Sequence, residues 1–162
     1  MNVVVRPAKI EDAREIAQTH FDSVHATGAQ FYSADICEEW SPSLTDKRIK
    51  GFADAIQSNV EIMFVAVGET QIMGFASIVP KSSELRSVYV GPKFGGLGIG
   101  KQLLAKLEEE SRSRGLKKLV MDASLSAESF YRSQGYIEIS RIEHALGSGR
   151  KMLAIRMEKV FP

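Results

Sequence analysis

The sequence has little cysteine, little net charge and no long apolar run. Its single cysteine, Cys37, excludes a disulfide within the chain and favours a reducing compartment. The formal net charge is +1, which gives no electrostatic reason for a nucleic-acid or membrane-surface partner. The apolar run Val3–Val5 is too short for a secretory signal, and no run approaches the roughly 18 apolar residues of a membrane span. We therefore expect a cytoplasmic protein with neither nucleic acid nor membrane as a partner.

The sequence also has no repeat, linker or low-complexity segment, and its His, Cys, Asp and Glu residues show no metal-ligand spacing. We expect no metal. The chain has 162 residues, of which 44% are apolar and 25% charged, an ordinary globular balance. We therefore expect one domain over residues 1–162. Predicted strands and helices are intermingled, which indicates an α/β protein of the α+β type, with a mostly antiparallel mixed sheet of about seven strands and about four helices.

Local patterns place several of these elements. Apolar spacing predicts a helix over residues 10–24. A second helix is expected to begin at Ser43, because an acidic residue three positions later gives a capping-box pattern. Gly68-Glu69 is interpreted as the two-residue turn of a hairpin. On the helix after residue 100, Glu108 is expected to lie on the outer face and to pair with Arg112.

A glycine-rich stretch, GPKFGGLGIGKQLL at residues 91–104, follows a predicted strand and opens this helix. The first turn of a helix offers free N–H groups to an anion, and glycines let the backbone approach phosphates closely. The stretch contains the P-loop pattern G-x-x-x-x-G-K, but Gln102 stands where Ser or Thr must bind magnesium. A Rossmann fingerprint fails, because its third glycine falls on Lys101 or Leu103. A tight turn without a ligand is the remaining alternative.

Three segments in order resemble the GNAT superfamily of N-acetyltransferases. In the family's Arg/Gln-x-x-Gly-x-Gly/Ala motif, Gly98 and Gly100 occupy the small positions, whereas Gly95 replaces the long side chain. The segment ASLSAESFYRSQGY at residues 123–136 is similar to the family's N-x-x-A-x-x-F-Y-x-x-x-G-F pattern, and VRPAKIEDAREIAQTH at residues 5–20 resembles its first strand and helix. The resemblance spans nearly the whole chain.

This resemblance implies acetyl-CoA as co-substrate, with its pyrophosphate on the glycine loop. Val90 is expected to stabilise the thioester oxygen through its backbone N–H, on a strand that bulges in the family. The cofactor-binding residues implied are Val88, Val90, Gly95, Gly96, Gly98, Ile99, Gly100, Lys101, Ser124 and Tyr131.

The resemblance also implies direct attack of an amine on the thioester. Tyr131 is then the acid that protonates the leaving thiolate; the alternative is a plain core aromatic. Glu84 is the first candidate for the base, although it could simply pair with Arg86 two residues later. The histidines at positions 20, 25 and 144 have a suitable pKa range, but each is more readily a surface or hydrogen-bonded side chain.

The acceptor is expected to contact the segment QFYSADICEEW at residues 30–40, which has three aromatic side chains and Glu38 and Glu39. Such a lining would suit a cationic amine, whereas the bland alternative places the aromatic rings in the core. A primary amine of a small molecule or peptide is therefore the predicted substrate. A homodimer through an exposed final strand is a further expectation. A non-catalytic acyl-CoA sensor is the competing functional class.

Overall fold

The computed structural model describes residues 2–162, and twelve helices and strands define its fold. The α-helices are α1 Ala13–Ala26, α2 Ala34–Trp40, α3 Asp46–Gln57, α4 Ile99–Ser113 and α5 Glu128–Ser133. The strands are β1 Val4–Pro7, β2 Ile62–Gly68, β3 Gln71–Val79, β4 Glu84–Val90, β5 Lys118–Ser124, β6 Ile137–Ala145 and β7 Lys151–Val160. Short 3-10 turns lie at Ile10–Asp12, Gly28–Gln30, Pro80–Ser82, Pro92–Phe94 and Leu125–Ala127.

The strands form one seven-stranded sheet in the order β1-β2-β3-β4-β5-β7-β6. Neighbouring strands are antiparallel except β4 and β5, which are parallel and pair only at Glu84/Val120. Beyond that pair the two strands separate, so the middle of the sheet opens toward the carboxyl ends of β4 and β5. The predicted α/β class, of α+β type with a mostly antiparallel mixed sheet, is confirmed.

The bulge expected in β4 is present at Arg86. Leu85 pairs with Ile78 and Ser87 with Ser77, so one extra residue lies between two successive pairs. Such a bulge bends the strand and increases its local twist. It lies next to Glu84, where β4 begins to diverge from β5.

Helices cover both faces of the sheet. The larger apolar cluster lies under α4 and α5, and contains Leu103, Leu104 and Leu107 of α4. On the opposite face, Ile16 of α1 and Phe52 of α3 pack with Phe75 of β3. A third cluster joins the segment before α2 to β7 through Tyr32 and Met152.

Several local expectations are wrong. Helix α3 begins after Thr45, whose hydroxyl accepts the Arg48 N–H at 3.1 Å, so Ser43 is not its cap. The hairpin turns at residues 69–70, because Gly68 still pairs with Gln71. Gly68 packs closely instead, since a Cβ there would lie 2.6 Å from the Met73 sulfur and would displace that side chain.

Two further expectations need correction. Glu108 is buried rather than on the outer face, because it contacts Lys159 and Tyr136 as well as Arg112. The final strand β7 lies between β5 and β6, so the sheet edge on this side is β6. The described residues form five α-helices, in agreement with the expected number of about four.

Candidate active site

The opening between β4 and β5 forms a cleft of about 770 Å³. It brings together four of the predicted site residues: Glu84, Val88, Ser124 and Tyr131. The strands supply the first three, and α5 places Tyr131 at the same opening. The cleft therefore joins the predicted acid, the predicted base and one side of the predicted cofactor site.

The register of β4 directs two backbone N–H groups into this opening. Gly91 N–H donates to Met73 C=O at 2.9 Å, which makes the preceding pair Val90/Gly74 a non-hydrogen-bonded pair of the β3–β4 ladder. Because such pairs alternate, Val88/Ala76 is of the same type. The N–H groups of Val88 and Val90 therefore point away from β3, toward the space that β5 has left.

The glycine loop lies directly beyond β4. Gly96 and Gly98 have φ of +77° and +78°, a conformation that side-chain-bearing residues rarely adopt. Gly98 is the N-cap of α4, so the first N–H groups of that helix face the loop. Ile99 is buried and anchors the helix, whereas Lys101 is exposed in its first turn. The loop ends at a helix N-terminus with free N–H groups and an exposed lysine, a combination of the kind that binds phosphates.

Gly100 connects this loop to the cleft. A Cβ at that position would lie 3.3 Å from the Phe130 ring and 3.6 Å from Val90. The start of α4 therefore touches both the end of β4 and the residue beside Tyr131. Gly95, the remaining member of the loop, is exposed and has an ordinary extended conformation with φ of −63°.

Tyr131 is 5% exposed. Burial, followed by the nearby Tyr89 hydroxyl, raises the pKa of Tyr131 well above its usual range. Its hydroxyl is therefore protonated at every physiological pH. A phenol in this state can donate a hydrogen bond, or a proton, to an acceptor in the cleft.

Glu84 is engaged by its neighbour on the strand. Both carboxylate oxygens accept from the Arg86 guanidinium at 3.1 Å, and Arg86 also donates to Glu61 at 3.2 Å. The pairing expected as the alternative for Glu84 is thus present, within the wall of the cleft. One arginine serves two carboxylates, so the group carries a net negative charge.

The other wall of the cleft is aromatic. Tyr89 alternates with Val88 and Val90 along β4 and therefore points to the opposite face, where it stacks on Phe75 with a centroid distance of 5.4 Å. Trp40 of α2 lies 6.3 Å from the Tyr89 ring. Burial raises the pKa of Tyr89 to about 12. The sequence analysis missed Tyr89 as a site residue, although the period-two pattern of β4 indicated its direction.

His20 lies beneath this wall and is not available as a base. Arg48 donates to its Nδ1 at 2.8 Å, and because arginine can only donate, Nδ1 carries no proton. Burial, with the Arg48 charge, lowers the pKa of His20 to about 3. His25 is also occupied, since its Nε2 donates to Ser41 C=O at 2.7 Å. Of the three histidines, His144 lines the cleft.

The segment predicted to contact the acceptor divides between cleft, core and solvent. Trp40 lines the cleft, Tyr32 is buried and Phe31 is 52% exposed. Glu38 lies 3.9 Å from the His25 ring, and one oxygen of Glu39 is buried without a hydrogen-bond partner. The cleft is completed by residues of β4, β5 and β7 that the sequence analysis did not select: Arg86, Asp122, Met152 and Arg156.

Between residues 2 and 162, no helix combines the length and apolarity needed to cross a bilayer. Within the same range, no group of three or more His, Cys, Asp or Glu side chains is arranged to hold a metal ion.

The sheet opens between two parallel strands, and a glycine-rich helix terminus lies beside the opening. This arrangement is the one expected of an enzyme that binds an acyl-CoA. The family model for the acetyltransferase (GNAT) domain matches residues 28–160. Spermidine N(1)-acetyltransferase of Thermoplasma acidophilum is 27% identical over 120 residues, which cover 72% of this chain and 74% of that protein.

Solved structures of N-acetyltransferases have the same fold as this chain. A GCN5-related N-acetyltransferase from Rhodopseudomonas palustris superposes with a TM-score of 0.90 at 25% identity, covering 99% of this chain and 97% of that one. PaiA N-acetyltransferase from Thermoplasma acidophilum, solved in complex with coenzyme A, has the same fold, with a TM-score of 0.80 at 22% identity over 99% and 100% of the two chains. The chain belongs to the GNAT family and is an acetyl-CoA-dependent N-acetyltransferase.

Proposed function

We propose that this enzyme transfers the acetyl group of acetyl-CoA to a primary amine by direct attack in the cleft between β4 and β5. The observation that carries the proposal is that Val88, whose N–H points away from β3, and Tyr131, whose hydroxyl is protonated, line the same cleft. N–H groups fixed in place can stabilise negative charge as it develops on the thioester oxygen. A protonated phenol can supply the proton that the leaving thiolate needs.

The loop before α4 is proposed to bind the pyrophosphate, and the open side of β4 to bind the pantetheine and acetyl group. Positive φ at Gly96 and Gly98 and the free N–H groups of α4 support the first assignment. The contact of Gly100 with Val90 and Phe130 supports the second, because it makes loop and cleft continuous. The residues proposed to contact acetyl-CoA are Val88, Val90, Gly95, Gly96, Gly98, Ile99, Gly100, Lys101, Ser124 and Tyr131.

The reaction needs two proton transfers. The amine nitrogen bonds to the acetyl carbon, the carbon–sulfur bond breaks, and Tyr131 protonates the departing thiolate. Glu84 is proposed to accept the proton that the amine loses, directly or through water. Its position in the cleft wall, on the same strand as Val88, supports this role.

The acceptor is proposed to be a small-molecule or peptide amine. The Trp40 ring in the cleft lining supplies an aromatic surface that attracts a cation, and the Glu61–Arg86–Glu84 group adds net negative charge. One relative is named a spermidine acetyltransferase, which is consistent with a cationic amine. We further propose that residues 1–162 act as one domain, that the enzyme is located in the cytoplasm, and that it forms a homodimer.

The catalytic assignments can be tested by substituting each group with its nearest inactive isostere. Tyr131→Phe removes the proton donor and should lower kcat about a hundredfold or more, while acetyl-CoA binding stays within about twofold. Glu84→Gln should lower kcat about tenfold or more, because it removes the proposed proton acceptor. Thiol release at saturating acetyl-CoA, with binding followed by calorimetry, measures both effects.

Ser133→Ala is a matched control, because this residue of α5 is exposed and its hydroxyl bonds only to Phe130 C=O and to the neighbouring Gln134 side chain. It should leave kcat unchanged. Near-normal turnover of Tyr131→Phe would remove Tyr131 from the reaction, and the same result for Glu84→Gln would remove Glu84.

A further inference from the structure

The ladder between β5 and β7 ends at Ser124/Ala154, directly before the turn that leads into α5. Phe161 N–H donates to Lys117 C=O at 2.8 Å, so the first pair of this ladder is non-hydrogen-bonded. The register continues without a shift through seven pairs. Because the two pair types alternate, Ser124/Ala154 is non-hydrogen-bonded as well. The next ladder bond would therefore run from the N–H of residue 125 to the C=O of residue 153.

The hydroxyl of Tyr32 occupies the place of that bond. It accepts the Leu125 N–H at 2.8 Å and donates to the Leu153 C=O at 2.6 Å. One phenol is thus inserted between two backbone groups that would otherwise pair directly. Tyr32 is 8% exposed, and burial raises the pKa of its hydroxyl, so the donor keeps its proton.

This insertion lies where the chain turns toward the proposed acid. Leu125 is the first residue of the turn Leu125–Ala127, and α5 with Tyr131 follows at once. Tyr32 comes from the segment between α1 and α2, and its ring packs edge-on against Trp40 of the cleft wall at 5.7 Å. Tyr32 therefore links the aromatic wall of the cleft, through its ring, to the start of α5, through its hydroxyl.

We propose that Tyr32 is a positioning residue for Tyr131: its hydroxyl holds the entry to α5 apart from β7 and so fixes the Tyr131 hydroxyl at the cleft. The proposal rests on the function proposed above for Tyr131. Without the hydroxyl, the Leu125 N–H and Leu153 C=O either lose their partners or pair directly. Direct pairing draws Leu125 toward β7, and the six residues that follow carry Tyr131 with it. A small misplacement of a reacting group is enough to lower turnover severely.

A double-mutant cycle separates this role from general support of the fold. Four proteins are compared: the wild type, Tyr32→Phe, Tyr131→Phe and the double variant. Tyr32→Phe should lower kcat about tenfold or more, with the acetyl-CoA Kd within about twofold of the wild-type value. In the Tyr131→Phe background, the same change should alter kcat by less than about twofold, because the group being positioned is already absent.

Equal losses in the two backgrounds would overturn the proposal and leave the role of Tyr131 intact. An unchanged kcat in Tyr32→Phe would also overturn the proposal. If Tyr131→Phe itself turns over normally, the proposed acid is wrong, and the positioning role falls with it. The amide chemical shift of Leu125 adds a local readout and should change in Tyr32→Phe, because the N–H then either loses its acceptor or exchanges it for the Leu153 C=O.

Tyr136→Phe is the matched control. It also removes a buried phenol hydroxyl, which lies 3.4 Å from Glu108, so it should lower Tm while leaving kcat unchanged. If Tyr32→Phe does not fold, Tyr32→4-aminophenylalanine keeps a donor and an acceptor on the same ring. That variant should retain a kcat within about threefold of the wild-type value. A folded 4-aminophenylalanine variant with the full loss would contradict the proposal.

Discussion

At the scale of single residues, the glycine loop contains two kinds of glycine. Gly96 and Gly98 have positive φ, so a side chain at either position strains the backbone. Gly95 has φ of −63°, and a Cβ there would meet nothing closer than the Pro92 C=O at 3.8 Å. The long side chain that relatives carry at this position is therefore compatible with the loop as it stands.

Gly95→Arg should accordingly strengthen acetyl-CoA binding, because a guanidinium at the loop adds a charge-assisted contact to the pyrophosphate. The expected gain is about threefold to tenfold in Kd, measured by calorimetry at low salt. Gly98→Ala should weaken binding and lower Tm, since the backbone must leave its present conformation.

Gly147→Ala, in the exposed β6–β7 turn with open space around it, is the control and should change neither quantity. Weaker binding in Gly95→Arg would indicate that the cofactor approaches this loop in a pose that the added side chain obstructs.

At the scale of elements, a charged group buried behind the site joins α4, β7 and the end of α5. Lys159 donates to both Glu108 oxygens at 2.8 and 3.2 Å and to the Gln134 C=O at 2.9 Å. Glu108 is 6% exposed, so its charge depends on these partners. Sequence periodicity could not identify this group. The i,i+4 spacing of Glu108 and Arg112 suggested an exposed ion pair, whereas the nearest partner of Glu108, Lys159, lies 51 residues away.

Lys159→Met should therefore reduce the free energy of unfolding by about 1–3 kcal/mol, because Glu108 keeps its charge and loses its nearest partner. Urea denaturation measures the change. Adding Glu108→Gln should recover part of the loss, since the buried carboxylate charge, left with only Arg112 at 3.8 Å, is then removed.

Lys151→Met provides the comparison. It breaks an exposed ion pair with Glu143 and should cost less than about 0.5 kcal/mol. Equal losses in Lys151→Met and Lys159→Met would show that burial does not distinguish the two pairs.

At the scale of the whole molecule, the sequence was sufficient to predict a mostly antiparallel sheet and the order of strands and helices along the chain. Apolar runs mark β2, β3 and β4, and the glycine-rich stretch marks the start of α4. The opening between β4 and β5 could not be derived from these runs, because it depends on which strands become neighbours and where their pairing stops. The bulge at Arg86 was expected only through resemblance to the family.

The aromatic wall was harder to predict for the same reason. Trp40 and Tyr89 lie 49 positions apart in the sequence, and their rings meet only when α2 packs beside β4. Tyr32 shows most clearly what the sequence could not predict. A phenol hydroxyl that takes the place of a hydrogen bond between two strands leaves no periodic pattern in the sequence. Side chains that join distant segments are thus the part of this site that required the structure.

The central claim, that the cleft between β4 and β5 carries acetyl transfer to an amine, is tested most directly by one measurement. Thiol release from acetyl-CoA is followed across a panel of small-molecule and peptide amines at fixed enzyme concentration. The account predicts release that depends on the amine, saturates in both substrates and yields the N-acetylated product. Tight binding of acetyl-CoA, with thiol release at the uncatalysed rate for every amine, would contradict it and favour an acyl-CoA sensor.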